Sequence, residues 1–332
     1  MQHASPRRLR TLCSLALSGL ALAWLPAHGA SYPERPVTVV VPYSAGGDAD
    51  VAARTLSANL RDKVTQPLVI LNKGGAGGAI GSQFVRDAAP DGYTLLLGRV
   101  GSQAILPALQ PGLSYKWGDF TILGKLDLNP MVCAVHGESA HTTLDSLLKE
   151  IKERPGKLNY ATTGPATALN LAAQTLLSSA DLPKTAAVEI PYKGGADATT
   201  ALLSKEVDFM CNNLASLLGN IQAGRLRALV TTSPERLADL PDVPTPGEVG
   251  HKKLEDVNGW SALYGPPNLP QDVVAYWREN LAYLSTNPQW VKTVEGAGSI
   301  PRILSPDASR EFVEQQFNFY RQLGQALDIE IK

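Results

Sequence analysis

Pro36-Val37-Thr38-Val39-Val40-Val41-Pro42-Tyr43-Ser44-Ala45-Gly46-Gly47-Asp48-Ala49-Asp50 is the stretch from which the fold is read. Its first half is a β-branched run closed by a proline at each end, the pattern of a short strand buried on both faces. Its second half is a glycine turn, after which Val51, Leu56, Leu60 and Val64 recur at near-helical spacing. Asp48 or Asp50 is placed to cap that helix. A helix that starts at the carboxyl end of a strand is where open α/β sheets bind ligands. Its free N–H groups and dipole favour an anion, and glycines let a backbone approach it closely. A tight turn that holds nothing is the plain alternative.

Outward from this unit the alternation continues. Strands are expected at 69–71, 94–97, 131–135, 158–161, 187–190, 207–211, 228–231 and 260–264. Helices are expected near 82–88, 143–153, 168–178, 196–203 and from 214 onward. This order predicts an α/β fold built on parallel sheets. The segment 240–250 is rich in proline and glycine and reads as a connector. Near the end Ser305 is placed to cap a last helix with Pro306 in its first turn, and Phe312, Phe317, Tyr320, Leu323 and Leu327 form its expected apolar stripe.

The first residues read as an export signal. Arg7, Arg8 and Arg10 precede an uncharged apolar stretch at 11–25, and Ala27-His28-Gly29 offers small residues for cleavage near Gly29. That stretch is short for a membrane span. The Arg7-Arg8 pair leaves the general and the twin-arginine export routes both open. The expected compartment is therefore the periplasm. Lys and Arg number 30 against 31 Asp and Glu, a formal net charge of −1, and no basic run exists to track a phosphate backbone. Nucleic acid is thus excluded as a partner, and no later segment is long and apolar enough to cross a membrane.

Of the three cysteines, Cys13 lies in the leader. Cys133 and Cys211 sit in expected strands of the middle segment. In an oxidising compartment they form either a disulfide or a pair of buried free thiols. No His/Cys cluster has metal-ligand spacing, so no metal is expected; His136 and His141 are five apart, which is not the spacing of one helix face. Nor is a cofactor expected. The glycine-rich 74–81 segment fits no dinucleotide fingerprint in any register. Ser44 sits on a strand-to-helix turn, as hydrolase nucleophiles do, yet the flanking glycine pattern and a histidine in the right order are missing. The chain is accordingly read as no enzyme, with a secreted esterase as the rejected alternative.

Polar, mostly uncharged groups recur at strand ends further on. Thr162-Thr163-Gly164-Pro165-Ala166-Thr167 leads into a helix, Pro191-Tyr192-Lys193-Gly194-Gly195 ends the next strand, and Asn212-Asn213 ends the one after. Two α/β halves with such loops facing one another make a cleft. No arginine occurs in these loops, so neutral donors are expected to hold the ligand.

Several segments, in order, carry a resemblance. They are Tyr32-Pro33-Glu34-Arg35-Pro36-Val37, the Gly46-Gly47 turn with Asp50, the stretch 72–81, and Ala89-Pro90-Asp91-Gly92-Tyr93-Thr94-Leu95-Leu96. Pro155-Gly156-Lys157-Leu158-Asn159, Pro191-Tyr192-Lys193-Gly194 and Leu240-Pro241-Asp242-Val243-Pro244-Thr245 follow. Together they resemble the Bug-type receptors of tripartite tricarboxylate transporters over nearly all of the chain beyond the leader. The resemblance implies a type II periplasmic-binding fold, two lobes that close over a ligand. The expected division is a signal peptide at 1–29, a first lobe from 30–127 and 243–332, and a second lobe at 128–242.

It also implies a ligand, a small carboxylate such as a dicarboxylate, an amino acid or an aromatic acid. The expected partner is a membrane permease of the tripartite type; a membrane sensor is the alternative, and the receptor is expected to be a monomer. The residues expected to line the site are Tyr43, Ser44, Ala45, Gly46, Gly47, Asp48, Asp50, Gly101 and Ser102 in the first lobe. Thr163, Gly164, Thr167, Tyr192, Asn212 and Asn213 are expected in the second. The chain departs from the family pattern at Asp48, where a small or hydroxyl residue is usual, and at Ala79, Pro165-Ala166, Asn170 and Asn212. Asp48 either caps its helix or faces the cleft. In the second case its charge would favour an ammonium-bearing ligand or a monocarboxylate over citrate.

Overall fold

The computed structural model describes residues 32–165 and 167–329. The expected signal peptide and its cleavage point, and Ala166, lie outside the described residues. In chain order the elements are β1 (Val37–Val41), α1 (Asp48–Leu60), β2 (Leu68–Asn72), α2 (Ala79–Arg86), β3 (Thr94–Arg99), α3 (Leu106–Leu109) and β4 (Thr121–Asn129). A wide turn of π-helix, Gly101–Ile105, separates β3 from α3. There follow β5 (Met131–His136), α4 (Leu144–Glu153), β6 (Asn159–Thr162), α5 (Ala168–Ser179), β7 (Val188–Pro191), α6 (Gly195–Leu203), β8 (Phe209–Asn213), α7 (Leu214–Gln222) and β9 (Leu226–Thr231). The chain ends with β10 (Gly259–Gly265), α8 (Gln271–Ser285), α9 (Pro288–Gly296), β11 (Ile300–Pro301) and α10 (Pro306–Leu327).

These build two lobes, each a twisted sheet with helices on it. One sheet has the order β11-β4-β10-β3-β1-β2, the other β7-β6-β8-β5-β9. Only Pro130 separates the last residue of β4 from the first of β5, so the chain passes from one sheet to the other almost without a bend in sequence. It returns between β9 and β10. Leu237, Leu240, Val243, Leu254 and Val257 still pack into the core of the second lobe, so the change of core falls just before Gly259.

The sheets are mixed, not parallel as expected. β1, β2 and β3 pair in parallel, as do β6, β7 and β8. β10 runs antiparallel to both β3 and β4, and β5 runs antiparallel to β8 and β9. The strands that carry the chain between lobes have no crossover helix to turn them round, so they enter their sheets in the opposite sense.

Two further differences have local causes. α1 has Gly47 at its N-cap with no side-chain capping bond, so neither Asp48 nor Asp50 caps it; both lie in its first turn. On α10, Ser305 does cap the helix, but the buried face is Ser309, Val313, Gln316, Tyr320 and Gly324. Of the expected aromatic and leucine stripe Tyr320 is fully buried, and Phe312 and Leu323 pack partly buried against the same core. At Ser309 and Gly324 the neighbours lie too close for large side chains. Ser309 Oγ accepts from Lys125 N at 2.8 Å, Gln316 Oε1 accepts from Trp260 Nε1 at 3.2 Å, and Leu109 fills the space where Gly324 has no Cβ.

Each lobe has its own apolar core. A third cluster, around Trp260, Val313 and Tyr320, takes in Leu171 of α5, so it spans the lobes. Cys133 and Cys211 are direct partners across β5 and β8, both fully buried, with Cα atoms 4.0 Å apart and a disulfide between them.

Candidate ligand-binding cleft between the lobes

The β1–α1 loop is shaped from beneath. Gly46 has φ +81°, a conformation that side-chain-bearing residues rarely adopt. Its N–H donates to Asp50 Oδ2 at 2.9 Å, and Arg54 Nε donates to the same oxygen at 2.9 Å. The hydrogen bond from Arg54, reinforced by the Gly46 amide, holds the Asp50 carboxyl below the usual carboxylate range. Asp50 is buried, so it braces the loop and does not face a ligand. Tyr43 supports the same loop. Its hydroxyl bonds Ser102 and wedges against Gly78 and Gly101; a Cβ at those glycines would stand 3.1 and 2.9 Å from the phenol oxygen. Burial pushes the Tyr43 phenol up. Ser102 is fully buried, its hydroxyl shared with the backbone of Arg99 and the amide of Gln103. What remains presented at the crest is Ser44, Ala45, Gly46, Gly47 and Asp48, with Gly101 half-buried below.

The second lobe presents the starts of three helices. Thr167 caps α5: its Oγ1 donates to Gly164 O at 2.8 Å and accepts from Asn170 N at 3.5 Å. Thr163 and Gly164 are half-exposed on the turn above it. Asn212 is buried and committed, its amide donating to Gly195 O and Thr199 Oγ1, both at 3.2 Å, and its Oδ1 accepting from Asn213 N at 2.8 Å. Tyr192 turns its phenol to Glu206, away from the strand end expected to present it. Asn213 leads into α7 without capping it and reaches across instead, donating to Asp48 Oδ2 at 2.9 Å.

Asp48 therefore faces the cleft. Behind the Asp48–Asn213 bond is an interlobe cavity of about 260 Å³, lined by α1, α9 and the ends of β3 and β4. It explains why Val51 is 46% exposed although the α1 pattern marks it as core: it lines this cavity. Arg99, the last residue of β3, also lines it and is only 8% exposed. Its Nη1 donates to Ser261 Oγ at 3.0 Å, and Ser261 in turn donates from N and Oγ to Asp127 at 2.8 and 3.3 Å. The expectation of mainly neutral donors left this charge out. It looked for arginine in the loops, whereas the arginine stands at the end of the strand before one. The available signal was a charge closing the apolar run Leu95-Leu96-Leu97-Gly98.

A larger depression, about 420 Å³, lies on the second lobe near Gly137, Gly224 and Asp242. It draws on neither the first lobe nor a helix start, so the smaller interlobe cavity is the functional candidate. Among the described residues no group of His, Cys, Asp and Glu could hold a metal ion, and no histidine hydrogen-bonds Ser44.

Two α/β lobes with opposed helix starts define a solute-binding protein of the periplasmic type. The chain belongs to the tripartite tricarboxylate transporter receptor family, whose model matches residues 52–329, and such receptors bind rather than catalyse. It is 32% identical to Protein BugT of Bordetella pertussis over 305 residues, 91% of each chain. Among solved structures it is similar to the periplasmic binding protein BugD, at 32% identity and a TM-score of 0.78, over 91% of this chain and 100% of that one. It is also similar to MatC of Rhodopseudomonas palustris with bound malate, at 27% identity and a TM-score of 0.77, over 88% of this chain and 99% of the other.

Proposed function

We propose that the protein is exported to the periplasm, captures a small carboxylate between its lobes, and presents it to a membrane permease of the tripartite type. The observation that carries this reading is the Asp48–Asn213 bond, which brings the start of α1 against the start of α7. Ser44, Ala45 and Gly47 on one side, and Thr163 on the other, offer backbone N–H groups to a carboxylate, while the N–H groups of Gly46 and Gly164 are given to Asp50 and Thr162. Tyr43, Asp50, Gly101, Ser102, Thr167 and Asn212 hold those loops in place. The lobes divide at Pro130 and just before Gly259. The malate held by MatC is the kind of solute such a cleft accommodates.

The test is a thermal-shift screen of carboxylates, since ligand at 100 times its dissociation constant adds about 2.7 kcal/mol of stability. A shift with at least one small carboxylate is expected; none with any would contradict the reading. Mass spectrometry of the exported protein checks the expected cleavage near Gly29.

A further inference from the structure

We propose that the interlobe cavity is a zwitterion site, in which Arg99 anchors the carboxylate of the ligand while Asp48 and Asn129 take its ammonium. The ligand class is then an amino acid, not a di- or tricarboxylate. This deepens the carboxylate reading of the cleft and rests on it, but moves the carboxylate inward, from the loop N–H groups at 44–47 and 163, which do not line this cavity, to Arg99.

Arg99 carries the argument. A guanidinium has five N–H donors, and this one makes a single side-chain hydrogen bond, to Ser261. Among the described residues no carboxylate comes within ion-pair distance of it. Asp127 reaches it only through Ser261, from whose N and Oγ it accepts, and makes no ion pair with it. A cation 92% removed from water and left so under-bonded is costly unless an anion joins it, and it borders a cavity with room for one. The planar fork of arginine suits a carboxylate bound through two oxygens.

The same cavity offers acceptors. Asn129 is 6% exposed; its amide donates to Ser299 Oγ at 2.6 Å, but its Oδ1 is buried with no partner. Asp48 uses one oxygen on Asn213, and among the described residues no hydrogen bond is made to the other. An ammonium, with three donors, supplies what these two groups lack.

Charge selects between ligands. The lining holds one cation, Arg99, and two carboxylates, Asp48 and Asp127. An amino-acid zwitterion leaves that balance unchanged. A dicarboxylate adds two negative charges to a space already negative and poorly screened. Val51, Val294 and Ala297 give part of the remaining wall an apolar surface that admits an aliphatic side chain.

Calorimetric titration of the full chain with alanine, leucine, nicotinate, malate and citrate tests this. The expected result is that an amino acid binds more tightly than any of the acids. Arg99→Met should weaken it roughly 10- to 100-fold, the loss of a charge-assisted bond, with partial recovery in Arg99→Lys. Asp48→Asn, at an exposed position, should weaken the amino acid and improve malate; it keeps the test open if Arg99→Met fails to fold, which circular dichroism shows. Tighter binding of malate, citrate or nicotinate by the wild type would overturn the zwitterion site and leave the carboxylate reading intact. Unchanged amino-acid affinity in a folded Arg99→Met would do the same. Binding of none of the five would overturn both.

Discussion

Asn213 donates its side-chain amide to the carboxylate of Asp48 at 2.9 Å across 165 positions of sequence, and this bond closes the mouth of the cleft. Both residues begin helices, and neither caps its own: α1 has Gly47 at its cap, and α7 gets no side-chain cap from Asn213. Side chains that would ordinarily satisfy local N–H groups are spent on the other lobe. The N–H groups left free at the helix starts are the ones a bound anion can use.

The bond should therefore contribute to closure. Asp48→Ala and Asn213→Ala are each expected to shift the open–closed balance of the unliganded protein toward open by about 0.5–1.5 kcal/mol, the net worth of a hydrogen bond. The double variant should open no further than either single one. Small-angle scattering of the three variants measures this, and additive opening would mean that the two residues act separately.

Thr167→Ala removes the α5 cap and the bond that ties Gly164 to it. A loss of about 1 kcal/mol in urea unfolding is expected, largely restored in Thr167→Ser. Binding should weaken as well, because the turn bearing Thr163 and Gly164 loses its brace.

The Cys133–Cys211 disulfide closes a loop of 78 positions within one lobe. Reduction should lower stability by about 4 kcal/mol on the chain-entropy account. Urea midpoints with and without reductant check this, and coincident midpoints would show that the bond adds nothing.

Lys125 makes stability pH-dependent. It is 1% exposed, and among the described residues its amine meets Arg302 O at 3.4 Å and the face of Phe312. Burial lowers its pKa to about 7, partly opposed by Asp127 and assisted by Arg302. The unfolded chain holds this proton up to the ordinary lysine value of 10.5. Between the two values the unfolded state binds more protons, so stability rises as pH increases from about 7 toward 10.5. Lys125→Met should flatten that rise in urea unfolding followed across pH. Asp50 acts at the acid end: its carboxyl is lowered from 3.8, so its contribution is full above that value and fades as pH falls below it.

How much of this was legible follows the range of the interactions. The β1–α1 unit could be read because its causes are adjacent: a valine run, two prolines and a glycine that must take positive φ. The capping of α10 by Ser305 is likewise local. Arg99 was missed because what makes it significant lies far away: Ser261 is 162 positions on, and the cavity wall comes from α9. The strand β4 drew no expectation, although its end lines that cavity. The face of α10 was read in part: Tyr320, Phe312 and Leu323 do pack on the core, but close neighbours from β4 and α3 select serine and glycine at Ser309 and Gly324, which no local pattern shows. Which loop residues face a ligand and which brace the loop also depends on tertiary partners, as the burial of Asp50, Ser102 and Asn212 shows.

The central claim is that one solute is held by both lobes at once. Hydrogen-exchange mass spectrometry of the protein, free and saturated with the best binder of the carboxylate and amino-acid panels, tests it most directly. Slowed exchange at 44–48 in the first lobe and, to the same degree of saturation, at 163–167 and 213–215 in the second is the predicted result. Protection confined to one lobe, or centred on the depression near Gly137 and Asp242, would contradict it.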